Sequence, residues 1–420
     1  MQPFAIVALV LIVARLFTEL WLSRINQRHV RAHANQLPPA FREVMDQATY
    51  RRSIDYTMAK SRFEEVTCVF DAVMLIAILF SGVLPWAFGK FRASYGDSVW
   101  AMTAFLVVVG IALSIPALPF AWYSQFKIEQ EFGFNTTRMK TWVFDRVKGL
   151  LLALVLGYPL LVLILKLIEW TGANWWIWAA AVVVVFQLLL LVMAPALIMP
   201  LFNKFTPLPE GALRERLFAL ARRTHFPTKS IDVMDGSKRS RHSNAFFTGL
   251  GRFRKIVLFD TLITQLTEPE LEAVLAHEIG HYKKRHVVKM LGVSIAGMFV
   301  AFGAIAWLAR QPWFYSAFGF RHQTGFAAAN LVPAILLFAL LAETITFWIS
   351  PFIHAWSRRF EYEADAFARA AMGETQSMIQ ALRKLSEKNL SNLIPHPLYS
   401  AFYYSHPTLR ERERTLGVPT

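Results

Sequence analysis

Seven apolar stretches dominate the pattern of the chain, each long enough, or nearly so, to cross a bilayer, with polar segments of very unequal length between them. They run over Phe4–Leu22, Val66–Phe88, Val99–Tyr123, Leu150–Trp170, Trp175–Phe202, Met290–Leu308 and Phe326–Ile349. The first lacks a basic start and a small-residue cleavage site, so it reads as a span and not a removable leader. It holds Arg15 and Glu19, four apart and able to pair within the membrane. Asp71 and Glu343 are costly in lipid and are expected to face a protein partner or a wet interior, while Lys166 snorkels.

The period changes after the fifth stretch. Phe205 to Gly211 is rich in turn residues, and residues 212–224 form a helix with Leu213, Leu217 and Leu220 on one side. Three short apolar runs, Ile231–Met234, Ala245–Thr248 and Ile256–Phe259, read as strands. A helix then begins near Glu268, where Thr267 and Glu270 make a capping box and Pro269 is tolerated in the first turn. The expected organisation is spans one to five in 1–202, a catalytic loop in 203–289, spans six and seven in 290–350 and a C-terminal segment in 351–420. The fold class is an α-helical multispanning membrane protein capped by an α+β catalytic layer, whose small sheet offers an edge to an extended peptide.

Composition agrees: 55% of residues are hydrophobic and the mean hydropathy is +0.37. Charge adds an orientation. The first, third and fifth loops carry eight, five and sixteen Lys or Arg and the tail nine, against two, none and two in the others. This alternation puts the N-terminus outside and the catalytic segments and C-terminus in the cytosol. It accounts for the net charge of +15, and no aromatic–basic motif supports a nucleic-acid partner. Cys68 is the only cysteine, which excludes an internal disulfide and a cysteine metal site. The N-x-S/T sequences at Asn135 and Asn389 fall on the cytosolic side and are expected to stay unglycosylated.

The candidate chemistry lies in His277-Glu278-Ile279-Gly280-His281, an H-E-x-x-H sequence inside the predicted helix. Histidines four apart share one helical face and can bind one Zn²⁺ ion per chain, and Glu278 can take a proton from a metal-bound water. A catalytic zinc needs a third protein ligand and an open position. The position six beyond the second histidine is Val287, so a third histidine there is ruled out. His286 lies about 140° around a continuous helix from His281 and reads as a surface position among Lys283, Lys284 and Arg285. A later helix offers Glu361 as third ligand, with Asp365 four residues on to accept the free ring N–H of a ligand histidine. Glu363 is on another face and is the weaker choice. Asn244 can hold a substrate backbone or simply turn the chain, His406 can donate to an oxyanion or cap a helix, and Arg412, one of three close arginines, reads alone as solvated.

With these residues together, the chain resembles the type I CAAX prenyl proteases, integral-membrane zinc metalloproteases, and more distantly the HtpX-type quality-control proteases. The resemblance rests on Glu131 to Asn135, Asn203 to Gly211, Asp235 to Ser240, Ser243 to Ala245, the H-E-x-x-H motif, Glu361 to Asp365 and Ser405 to Arg412. It implies a barrel of seven helices around a hydrated chamber and hydrolysis near the C-terminus of prenylated peptides. It assigns His277, His281 and Glu361 to zinc, Glu278 to catalysis, Asp365 to support, and Asn244, His406 and Arg412 to substrate. The short chain without extended inserts points to a bacterial inner membrane; a eukaryotic source would imply the endoplasmic reticulum. Two other readings are a general quality-control protease of the membrane and a transporter or scaffold with structural zinc. Three ligands plus a base count against the last.

Overall fold

A computed structural model describes residues 2–417 apart from 36, 39–40, 43–44 and 249–254. Helix α1 (Pro3–Ala32) carries the first apolar stretch and runs well past it. Helix α2 (Gln47–Phe80) starts at Asp46, whose carboxylate accepts from Thr49 N at 2.7 Å. The second stretch was expected to run straight to Phe88. It bends by 54° after Phe80, because Gly82 takes φ 79° before α3 (Val83–Tyr95), a conformation costly for any residue with a side chain. Helix α4 (Val99–Ser114) continues through a turn holding Pro116 into α5 (Leu118–Tyr123) and α6 (Glu129–Glu131).

Helices α7 (Met139–Thr171) and α8 (Trp175–Met193) pack against each other on either side of Gly172, which has φ 53°. Among the described residues, five helical stretches are long and apolar enough to cross a membrane, or six counting the bent α2–α3 pair. One of the five, Met139–Leu201, contains both α7 and α8 and hence two of the predicted spans. Phe17, Trp86, Val155, Trp178 and Val300 face outward, as a surface solvated by lipid requires. Inward, Met102, Leu165, Ile168, Phe314, Val332 and Leu337 form the membrane-layer core.

Two cavities of about 990 and 690 Å³ share Glu64 and Tyr399 in their walls; the smaller lies among the helices, and the larger is also lined by Arg239, Ser240 and His242 of the polar loop that follows. The intramembrane charges gather in the smaller one. Arg15 donates to Glu19 at 2.9 Å and to Glu343 at 2.8 Å, the Cys68 thiol donates to Glu19 at 2.6 Å, and Asp71 shares the wall.

The catalytic layer starts with β1 (Phe205–Pro207), α9 (Ala212–Arg223), β2 (Ser230–Met234), β3 (Ala245–Thr248) and β4 (Lys255–Phe259). The sheet order is β1-β2-β4-β3, with β2 and β4 parallel and both outer pairs antiparallel. Strand β1 was expected to be a turn. Pro207 does not prevent a strand here because β1 is at an edge, where a missing N–H costs no ladder bond. Short α10 (Asp260–Gln265) leads into α11 (Glu268–Lys283), and Leu217, Leu220, Ile231, Ile256, Leu275 and Ile279 join α9, the sheet and α11 in a second core.

Helix α12 (His286–Leu308), α13 (Pro312–Ser316) and α14 (Ala328–Met372) follow, then α15 (Gln376–Lys388), α16 (Pro397–Tyr403) and α17 (Leu409–Thr415). The boundary expected near Pro351 is no break. Helix α14 runs 45 residues with Pro333 and Pro351 inside it, carrying the seventh apolar stretch and the acidic motif on one rod.

Candidate metal centre

Helix α11 opens with the expected capping box: Glu270 accepts from Thr267 N at 2.8 Å. Its motif face lies against α14, and Gly280 makes the approach possible. A Cβ there would stand 2.9 Å from Ala364 Cα and 3.0 Å from Ala364 O, so any side chain meets backbone. Because these two helices carry all the candidate ligands, Gly280→Ala should push them apart. We expect a loss of about 1–3 kcal/mol of stability together with weaker metal retention, read by thermal melting and metal content. Unchanged melting and metal content would mean the close contact has no consequence.

Three donor groups converge. His277 Nε2 and His281 Nε2 are 3.2 Å apart, and they lie 3.4 and 3.3 Å from the two carboxylate oxygens of Glu361. Ligand atoms about 2.1 Å from one ion at tetrahedral angles lie about 3.4 Å from each other, so the triangle fits a small divalent cation. Glu361 is only 4% exposed, and its buried Oε2 has no hydrogen-bond partner. A buried carboxylate oxygen left unpaired is expensive unless a cation completes it. The three residues are the one cluster of metal-binding geometry among the described residues.

Behind His277, its Nδ1 donates to Asp365 Oδ1 at 2.8 Å. Arg412 grips the same carboxylate through Nε at 2.8 Å and Nη2 at 2.5 Å. Burial pushes Asp365 upward, but the hydrogen bonds from His277 and Arg412 outweigh it and hold the carboxyl below its ordinary range. The expectation of a solvated Arg412 is thus overturned, since it is 8% exposed and faces Asp365. The capping box of Thr408 and Glu411 starts α17 so that Arg412 turns inward and Arg410 and Arg414 outward. Its guanidinium sits behind His277, with Nη2 at 3.3 Å from His277 Nδ1.

His286 is also a correction. It was expected at the surface, yet it is 2% exposed, its Nδ1 lies 3.0 Å from His281 Nδ1 and its Nε2 3.1 Å from Glu363. The helix is not continuous as assumed: α11 ends and Arg285 takes a left-handed conformation, φ 58° and ψ 32°, before α12 starts. That break swings His286 back under His281. No Gly or Asn marks it, so the sequence carries no local signal for it.

On the open side, His406 Nε2 is 3.5 Å from Glu361 Oε1 and the side chain is 67% exposed. Its segment is tied to α14 by Arg358, which donates to Tyr404 O at 2.6 Å, and by His354, whose Nδ1 donates to Phe402 O at 2.7 Å. Glu278 makes no hydrogen bond or ion pair among the described residues, and burial pushes its carboxyl up, partly countered by His277 and His281. Asn244 stands exposed at the head of β3; its side chain accepts from Ala245 N at 2.8 Å and its carbonyl accepts from Phe259 N at 3.1 Å.

Residues 26–204 match the family described as CAAX prenyl protease N-terminal, five membrane helices, and residues 207–418 match Peptidase family M48. The chain is 36% identical over 408 residues to CAAX prenyl protease 1 of Saccharomyces cerevisiae, spanning 92% of this chain and 89% of that one. It is 31% identical to CAAX prenyl protease 1 homolog of Homo sapiens, over 94% and 92% of the two chains. The crystal structure of S. mikatae Ste24p superposes with a TM-score of 0.90 at 34% identity and covers 99% of each chain.

Proposed function

The chain belongs to peptidase family M48, with the membrane region of the CAAX prenyl proteases, and is an integral-membrane metalloendopeptidase; from that premise we propose how its residues work and what it cuts. The observation that carries the reading is the donor triangle of His277, His281 and Glu361 beside Glu278, which makes no hydrogen bond or ion pair among the described residues. One zinc ion per chain is the metal assigned, because two imidazoles and a carboxylate with no cysteine suit a catalytic zinc with an open position. When bound, zinc lowers the pKa of its water and polarises the scissile carbonyl.

The residues divide the remaining work. Glu278 takes the proton of the attacking water as its oxygen bonds to the carbonyl carbon, then gives that proton to the amine nitrogen as the C–N bond breaks. Burial raises its carboxyl, which makes it the stronger base for the first transfer. His406, exposed beside Glu361, donates to the developing oxyanion. Asp365, held by Arg412, keeps His277 in the tautomer that leaves Nε2 free. Asn244 and the outer edge of β3 hold the substrate backbone as an added strand. Glu361→Ala should lose zinc on dialysis and lose peptidase activity with it; full retention would move the third ligand elsewhere.

The substrates proposed are flexible chains cut near the C-terminus, CAAX-type prenylated peptides first, as the names of the relatives indicate. The cavities, hydrated in this reading, leave room for an unfolded tail. Matched prenylated and unprenylated peptides, digested in detergent and read by mass spectrometry, test this. Cleavage of the prenylated peptide at one site supports it, and equal cleavage of both at many sites favours a quality-control protease. The basic loops support a cytosolic catalytic layer. Single cysteines near Lys238 and Thr408 should resist an impermeant reagent in intact cells while one near Thr171 reacts. Reaction at the first two would invert the topology.

A further inference from the structure

The two ligand histidines are supported differently. His277 meets a carboxylate directly, whereas His281 meets a second histidine, which in turn meets a carboxylate. With both imidazoles neutral, the chain of contacts allows one proton arrangement. Glu363 accepts from His286 Nε2–H at 3.1 Å, so His286 Nδ1 is the lone-pair nitrogen. That nitrogen accepts from His281 Nδ1–H at 3.0 Å, which leaves His281 Nε2 bare and pointing at the donor triangle. His286 is fixed in place by stacking on Phe360, with ring centroids 4.1 Å apart and planes 12° apart. Phe360 immediately precedes the ligand Glu361 on α14, so the same stack ties α12 to the helix carrying the third ligand. Glu363, 44% exposed on its side chain, ends the relay at the surface beside Lys289 at 3.9 Å.

We propose that His286 and Glu363 are positioning residues for the metal centre: a two-step relay that fixes the tautomer and ring orientation of His281. Neither touches substrate. The inference rests on the zinc reading above, and one of its measurements does not need the metal. A ligand histidine whose second nitrogen loses its partner binds its metal roughly 10–100-fold more weakly.

The test uses the full-length protein in detergent. His286→Phe keeps a ring to stack on Phe360 but removes the acceptor, and His286→Asn restores an acceptor near the position of Nδ1. Zinc release to a chelator is followed with an indicator dye, and the tautomer of His281 is read by ¹⁵N shifts of labelled histidine in the metal-free protein. Expected are zinc release roughly 10–100-fold faster in His286→Phe, a mixed His281 tautomer, and substantial recovery of both in His286→Asn. Glu363→Ala, an exposed change that threatens folding least, should show a smaller shift in the same direction. Wild-type zinc content tests the metal reading, while the variant-to-wild-type comparison and the tautomer test the relay. The relay is overturned if His286→Phe and Glu363→Ala release zinc at the wild-type rate with an unchanged tautomer, or if His286→Asn is as impaired as His286→Phe.

Discussion

Glu278→Gln should fold, keep its zinc and lose roughly 10²–10⁴-fold in peptide hydrolysis. The amide has nearly the shape of the carboxylate but accepts no proton from water and returns none to the leaving amine. Folding should not suffer, because Glu278 has no hydrogen-bond partner among the described residues to abandon and its burial is a cost in the wild type. Removing that cost makes a small gain in melting temperature the expected direction. Turnover with a quenched peptide, metal content and thermal melting separate the effects. A variant that hydrolyses peptide at near wild-type rate would assign the proton transfers to another group, His406 being the nearest candidate on the open side.

Arg412→Ala should be the most destabilising of the single changes considered, by about 3–5 kcal/mol. Two charge-assisted hydrogen bonds disappear, and Asp365, 1% exposed, keeps its charge with only His277 to answer it. The pH dependence follows from the sign of the shift. Asp365 is held below its ordinary value in the folded protein, so its contribution is full above the unfolded pKa and is lost as pH falls through the folded one. Without Arg412 the folded pKa rises, and acid sensitivity should move to higher pH. Melting scans of the metal-free protein from about pH 2 to about pH 8 read both effects, since the wild-type loss lies below the ordinary carboxylate value. A variant as stable as wild type at every pH would mean the pair contributes nothing net. Arg412→Lys should recover only part of the loss, since one ammonium cannot reproduce the two-pronged contact.

The apolar pattern made the membrane layer legible, and the capping box at Thr267 and Glu270 located the start of α11. The candidate donor cluster was legible because four-residue spacing on a helix is a local rule, and His277 with His281 and Glu361 with Asp365 both obey it. What escaped was decided by distant contacts or by backbone conformations without a local signature. His286 was misplaced because Arg285 turns left-handed without glycine. Arg412 was misplaced because its partner lies 47 positions away in the sequence. Gly280 carries no signal of its own within the motif, because the demand for glycine there comes from Ala364 on a distant helix. Strand β1 was hidden by Pro207, which is harmless only once the strand is known to be at an edge.

The unbroken α14 has a consequence for which bond is reached. Glu361 follows Ile349, the end of the last apolar stretch, by 12 residues on the same helix, or about 18 Å of rise. The reacting groups therefore stand at a height above the lipid set by covalent geometry, not by the packing of a separately tethered domain. For the proposed substrates, anchored in the same bilayer, this would gauge as well as recognise: the bond presented would be the one whose distance from its anchor matches that height.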